Sequence, residues 1–145
     1  MTEAAKSPRQ PPQGKVVVFF DGLCPFCNRI VLGLLIWDRK HALLFAPLQG
    51  QTASEVLGDP AVKNPPDSDT IVAWDQDGFH FRSSATLRIL TRLGGPHRLW
   101  AACYVVPACV RDVLYYWVAR NRYRWFGRLD ACRTPKESQK ERFLP

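Results

Sequence analysis

Two cysteines separated by two residues, Cys24 and Cys27, are the side chains of this sequence best placed for chemistry. Their spacing puts both sulfurs within one short helical turn, where a disulfide can form and break with little backbone movement. A strand pattern ends just before them and a helical pattern begins with them. Unpaired N–H groups and the dipole at a helix N-terminus lower the pKa of a cysteine. We therefore expect Cys24 to be the nucleophile and Cys27, one turn further in and more shielded, to be the resolving thiol.

Three neighbours of the cysteines complete the candidate site. Pro25 suits the first position of a helix and fixes the turn, and we expect Pro25 and Phe26 to contact the substrate. Asp21 lies three residues before Cys24. Its carboxylate either relays a proton to or from the thiols and raises their pKa, or only bonds nearby backbone N–H groups, as is common in Asp-Gly turns. Both interpretations stay open.

The cysteine pair has two other interpretations. Zinc takes four ligands, usually from a second close pair, whereas Cys103 and Cys109 are six residues apart, Cys132 is isolated and the three histidines show no paired spacing. We therefore expect no metal, and nothing in the sequence calls for a cofactor. A purely structural pair of reduced thiols stays open, because cysteine is often simply a small buried apolar residue.

Strand and helix patterns follow one another in an order that defines the fold. Val16–Phe20 is apolar without alternation, which predicts a strand buried on both faces of a sheet. The later patterns predict a helix over 25 to about 40, a strand over 42–48 and a helix over 51–57. Two hairpin strands follow over 70–74 and 79–82, joined at Asp77-Gly78. Ser83 or Ser84 is expected to cap the next helix, which ends at Leu93. Two more helices are expected over 98–106 and 107–120. This order predicts an α/β fold, a thioredoxin-like sheet with flanking helices and an appended C-terminal helical segment.

Length and composition favour one domain. The 145 residues are about one domain's worth of chain, and the loop over 59–68 separates halves too small to close a core alone. We expect a flexible polar tail over 1–14 and a single domain over 15–145, with its helical extension from about residue 97. The sequence shows neither a secretory signal nor a membrane span, and its five cysteines are an odd number. A cytoplasmic protein is therefore expected.

The segment 21–27, Asp-Gly-Leu-Cys-Pro-Phe-Cys, resembles the DxxCxxC signature of the DCC family, which is named for that aspartate and the two cysteines. A middle block is similar too, with 69–74, Asp77-Gly78, 83–90 and Leu93-Gly94-Gly95. The C-terminal block includes Pro107, Arg111-Asp112, Tyr116, Ala119, Asn121-Arg122-Tyr123, Trp125-Phe126-Gly127, Asp130, Cys132, Pro135 and Arg142-Phe143-Leu144. The resemblance covers roughly residues 15–144. It implies a thioredoxin-like fold and thiol–disulfide exchange with a protein or a low-molecular-weight thiol or disulfide.

One position departs from thioredoxins and glutaredoxins. Those proteins place a cis-proline directly before the third strand, beside the active cysteines, whereas here Ser68-Asp69 precede Thr70. Substrate docking is therefore expected to differ from theirs.

Positive charge is concentrated in the C-terminal part of the chain. Residues 1–81 carry a net charge of −2 and residues 82–145 a net charge of +9. The segment from Arg120 to Arg128 interleaves cations with aromatic rings, a composition that suits phosphates and stacked bases but also covers an apolar face. Because this segment belongs to the family-like block, a structural or partner-docking role is favoured and nucleic acid is not expected. Contact with an anionic membrane is a further, less favoured alternative.

The sequence thus predicts a thiol–disulfide oxidoreductase that works through Cys24-Pro25-Phe26-Cys27. The alternative from another class is a non-catalytic module that binds a partner through its basic helical C-terminal face, with structural or regulatory cysteines. Cys132 has two interpretations as well, an extra resolving thiol or a packed core cysteine, and packing is favoured.

Overall fold

The computed structural model describes residues 10–11, 13–58, 71–127 and 137–144. In chain order its elements are β1 (Val16–Phe20), α1 (Pro25–Trp37), β2 (Leu43–Pro47), α2 (Gln51–Leu57), β3 (Val72–Asp75), β4 (Gly78–Phe81), α3 (Arg82–Arg92), a 3₁₀ segment (Gly95–Val105), α4 (Ala108–Phe126) and a C-terminal 3₁₀ segment (Glu137–Arg142). Most of the predicted tail over 1–14, the whole loop over 59–68 and Cys132 lie outside the described residues.

The four strands form one mixed sheet in the order β2-β1-β3-β4. The first strand, β1, runs parallel to β2 and antiparallel to β3, and β4 closes the hairpin with β3. Helices cover both faces of this sheet, so the architecture is the predicted α/β, thioredoxin-like one. Because β1 lies in the middle and runs parallel to its crossover partner β2, its C-terminal end is where ligand-binding crevices of such sheets form.

The core divides at β1, all five residues of which are buried. Val16, Val18 and Phe20 pack into one apolar cluster with side chains of α1 and α3. Val17 and Phe19 face the other way and pack against α2. A strand buried on both faces reads as an unbroken apolar run, so this prediction is confirmed.

The start of α3 differs from the prediction. The helix begins at Arg82, directly after β4, and no side chain caps it. Arg82 takes a left-handed backbone conformation with φ of 56°, which turns the chain from strand to helix without a serine cap. The Ser83 hydroxyl donates instead to the Asp112 carboxylate of α4, so it joins two helices.

Beyond α3 the chain forms a 3₁₀ segment in place of the expected helix, and α4 continues six residues past its predicted end at residue 120. The polar side of α4 packs inward, where the Tyr115 hydroxyl accepts the backbone N–H of Ile71 at 2.9 Å. Its helically spaced apolar residues are exposed instead: Val110, Val113, Leu114 and Trp117. None of the helices in the described part of the chain is long and apolar enough to span a membrane.

Candidate active site

The turn between β1 and α1 places the two cysteines. The Cys24 N–H donates to the Asp21 carbonyl at 3.3 Å, and Pro25 is the first residue of the helix. The Asn28 side chain, one turn into α1, donates to the Gly22 carbonyl at 3.0 Å and holds the turn from inside. Cys24 is the N-cap, and its Sγ accepts the backbone N–H of Cys27 at 3.4 Å. The predicted position of this sulfur at a helix N-terminus is thus confirmed.

The relative exposure of the two sulfurs is the reverse of the expectation. Cys24 is fully buried, at 0% exposure, while Cys27 is partly exposed, and both are free thiols. The C-terminal end of α4 reaches the N-terminus of α1 beside the two cysteines. Phe126 stacks on Phe26 with ring centroids 5.0 Å apart, and Arg122 comes within 3.9 Å of the Cys27 Sγ. From the sequence alone this helix end would be open.

Asp21 is buried and accepts hydrogen bonds on both carboxylate oxygens. Its Oδ1 accepts the Leu23 N–H at 3.0 Å and the Gln49 amide at 2.9 Å. Its Oδ2 accepts Nη2 of Arg122 at 3.0 Å and the Tyr123 hydroxyl. The geometry supports the turn role of Asp21 and adds a second role, that of anchoring the end of α4. The proton-relay interpretation stays a prediction.

Arg122 is a site residue that the sequence did not single out. It is only 4% exposed, although it lies among the exposed cations of a basic segment. Its guanidinium contacts Asp21 and Cys27 and lies 4.8 Å above the Tyr123 ring. The one available signal was its place in the Asn121-Arg122-Tyr123 part of the family-like block, since composition treats all arginines of this segment alike. The structure brings together Asp21, both cysteines and Arg122, from positions up to 101 residues apart.

Burial raises the pKa of the Cys27 thiol to about 12. The charge of Cys24 and the hydrogen bond to it act in the same direction, as does the nearby Asp21 carboxylate. Arg122 acts against them and lowers the pKa of Cys27. Cys27 is therefore a protonated thiol at neutral pH while Cys24 is free.

Pro25 and Phe26 are both partly exposed at the surface beside the sulfurs. Phe26 faces α4, and Pro25 opens α1 as predicted. Among the described residues, no group of three or more His, Cys, Asp or Glu is placed to hold a metal ion. Ser68-Asp69, which the sequence placed before the third strand, lie outside the described residues, and the residue directly before β3 is Ile71.

The DCC1-like thiol-disulfide oxidoreductase family model matches residues 18–128 of this chain. The chain belongs to this DCC1-like family. The resemblance that the DxxCxxC segment suggested is confirmed, and the matched range includes Asp21, Cys24, Cys27 and Arg122.

Two curated relatives agree with the family assignment. Uncharacterized protein YuxK of Bacillus subtilis (strain 168) is 35% identical over 130 residues, which cover 89% of this chain and 93% of YuxK. DCC family protein At1g52590, chloroplastic, of Arabidopsis thaliana is 33% identical over 117 residues, which cover 80% of this chain and 67% of the plant protein. No solved structure matches the chain significantly. Membership in the DCC1-like family supports a redox role for the chain, and neither relative's name specifies a substrate.

Proposed function

We propose that this chain is a thiol–disulfide oxidoreductase in which Cys24 attacks the substrate and Cys27 resolves the mixed disulfide. The observation that carries the proposal is the Cys24 Sγ at the N-terminus of α1, 3.4 Å from the N–H of Cys27. A thiolate there gains a hydrogen bond and the favourable end of the helix dipole. Family membership supports the same reaction class.

The reaction moves two electrons and two protons. The Cys24 thiolate attacks one sulfur of a substrate disulfide, the substrate S–S bond breaks, and the second substrate sulfur leaves as a thiolate that takes up a proton. Cys27 then loses its proton and attacks Cys24, which releases the first substrate sulfur as a second thiol. The protein ends as the Cys24–Cys27 disulfide, and an external thiol or dithiol regenerates it. Run in reverse, the same steps oxidise a dithiol.

Electrostatics favour this order of attack. While Cys24 is free, its charge and its hydrogen bond help burial to raise the pKa of Cys27. Once Cys24 is part of a mixed disulfide it carries no charge, so these two contributions disappear while Arg122 still lowers the pKa. Cys27 therefore becomes a better nucleophile after the first step than before it.

Access to Cys24 requires a movement of the chain around it. Its sulfur is fully buried, and the end of α4 lies over the turn through the Phe26–Phe126 stack and the Arg122–Asp21 pair. We propose that displacement of this end admits the substrate. We also propose a reducing compartment such as the cytoplasm, which would keep the pair available as a dithiol.

Three cysteine variants test the proposal. Turnover of a disulfide substrate should disappear in Cys24→Ser and should persist in Cys109→Ser, which removes an exposed thiol far from the pair in sequence. Cys27→Ser should accumulate a mixed disulfide on Cys24, visible by mass spectrometry. Turnover that survives in Cys24→Ser, or a mixed disulfide on another cysteine, would contradict the assignment.

A non-catalytic partner-binding module is the second candidate, favoured by one observation. Large apolar side chains are exposed on the 3₁₀ segment and α4, among them Leu99, Val105 and Val113, and such surfaces often bind partners. This function predicts a Cys24–Cys27 pair that reacts with no disulfide, together with partner binding that is the same in wild type and Cys24→Ser.

A further inference from the structure

A cavity of about 360 Å³ lies beside the Cys24–Cys27 turn, where α1, α3, the 3₁₀ segment and α4 meet. Its apolar walls include Phe26, Ile30, Leu87, Leu90, Trp100 and Val118. We propose that this cavity is the subsite for an apolar substituent of a low-molecular-weight disulfide substrate. The inference rests on the proposed function, because it assigns the substrate class of the same site.

The cavity shares one wall with the turn that carries the two cysteines. Phe26, one of its walls, stands between the two cysteines in the chain, and Ile30 lies one turn further along α1. A molecule in the cavity therefore contacts the same helical turn that carries the partly exposed Cys27. Its volume falls within the roughly 300–1,000 Å³ typical of small-molecule sites.

The hydroxyl groups of the cavity walls and Nε of the arginine there already have partners within the protein. The Ser83 hydroxyl donates to Asp112, and the Thr86 hydroxyl donates to the Arg82 carbonyl at 3.2 Å. The Tyr115 hydroxyl accepts a backbone N–H at 2.9 Å, and Nε of Arg111 donates to the Val106 carbonyl at 3.0 Å.

A polar ligand would have to break these bonds, whereas an apolar one gains by leaving water. The occupant is therefore apolar. Four segments contribute to the walls and the volume is that of a small-molecule site, so the apolar part of a small disulfide can contact all four segments at once. For this reason the structure points to a small disulfide rather than to a protein client.

The test compares two substrates on variants that fill the cavity. Val118→Trp places a bulky ring in the cavity from α4, and Leu114→Trp does so from a more exposed lining position that tolerates substitution. Val113→Trp is the matched control, because Val113 lies on the same helix, is exposed and is not part of the lining. The substrates are dithiodipyridine, which is aromatic, and hydroxyethyl disulfide, which is small and polar.

We expect kcat/KM for dithiodipyridine to fall about tenfold in the two filled variants, the scale set by a hydrophobic pocket, with little change for hydroxyethyl disulfide. Val113→Trp should change neither value, and melting curves should show that each variant folds. Equal effects on both substrates, or none, would overturn the subsite and leave the oxidoreductase intact. Loss of protein-disulfide reduction alone would overturn it in favour of a protein client. A wild type that fails on both small disulfides but reduces a protein disulfide such as that of insulin would also overturn the subsite, whereas failure on all three substrates would remove the proposed function itself.

Discussion

Helix α1 has a buried aspartate at each end, and an arginine from the C-terminal part of the chain binds each one. At the N-terminal end Arg122 binds Asp21, and at the C-terminal end Arg142 binds Asp38. Asp38 also accepts the backbone N–H groups of Ala42 and Leu43 at 3.0 and 2.9 Å, which fixes the start of β2. At both ends an aspartate–arginine ion pair holds a segment from the C-terminal part of the chain against the helix.

The difference between the ends lies in one neighbour. Arg122 is also 3.9 Å from the sulfur of Cys27, whereas the guanidinium of Arg142 reaches the Leu43 carbonyl and the face of Phe45. A buried ion pair is thus common to both ends, and its presence alone does not mark a reactive site. The N-terminal end differs because Arg122 contacts the Cys27 thiol as well as Asp21.

Loss of either arginine should cost stability to a similar degree. Removing one partner of a buried ion pair leaves an uncompensated charge, so we expect Arg122→Met and Arg142→Met each to lower the free energy of unfolding by about 3–5 kcal/mol. Urea unfolding followed by circular dichroism measures both. A loss confined to one variant would show that the two ends are not equivalent in stability, against the comparison.

Arg122→Met and Arg142→Met should differ in the rate of thiol–disulfide exchange. Because Arg122 lowers the pKa of Cys27, its removal raises that pKa further and slows the resolving step by about three- to fourfold for each pKa unit, since the greater nucleophilicity of a more basic thiolate partly offsets the loss of thiolate. Single-turnover release of substrate from the mixed disulfide measures this step. Arg122→Lys keeps the charge and should recover part of the rate, while folded Arg142→Met should match the wild type. Identical rates in Arg122→Met and Arg142→Met would show that Arg122 only stabilises the fold.

Alkaline pH should lower the free energy of unfolding, because it ionises the Cys27 thiol at the N-terminal end of α1. The pKa of Cys27 rises from its ordinary 9.0 to about 12 in the folded chain, mainly by burial. The protonated thiol thus stabilises the fold fully below pH 9, and this contribution is lost as the pH rises toward 12. Burial raises the pKa of Tyr115 to about 12 as well, so it adds to the same loss.

The slope of unfolding free energy against pH measures this effect. It should become shallower between pH 9 and 12 in Cys27→Ala, with Cys109→Ala as the control at an exposed position. A slope that is unchanged in Cys27→Ala would contradict the raised pKa.

Local signals in the sequence predicted the frame of the site. An unbroken apolar run marked β1, Pro25 marked the start of α1, and Asp77-Gly78 marked the hairpin, which the structure closes with Asp75 opposite Gly78. Each of these features depends on residues within a few positions of one another, where backbone preferences and burial periodicity decide the outcome.

The contact between α4 and the Asp21 turn depends on residues about 100 positions apart, which leave no local trace in the sequence. In α4 apolar residues at helical spacing, such as Val113 and Trp117, would suggest a buried face but are exposed. Asp112, Tyr115 and Arg122 pack inward instead. Hydrogen bonds and ion pairs fix which side of this helix faces the protein. Arg120 and Arg124, equivalent to Arg122 by composition, point outward.

A third buried aspartate, Asp75 in the β3–β4 hairpin, gives the smallest expected effect and sharpens the comparison. Although burial raises its pKa, hydrogen bonds from Arg88, the Asp77 N–H and His80 together hold the pKa below its ordinary 3.8. The ionised carboxylate thus stabilises the fold fully above pH 3.8, and this contribution is lost as the pH falls through the lower pKa of the folded chain. Asp75→Asn should flatten the acid limb of the unfolding profile and leave thiol exchange at neutral pH unchanged, since Asp75 contacts neither cysteine. A change in exchange rate in Asp75→Asn would mean that the hairpin also controls the N-terminus of α1.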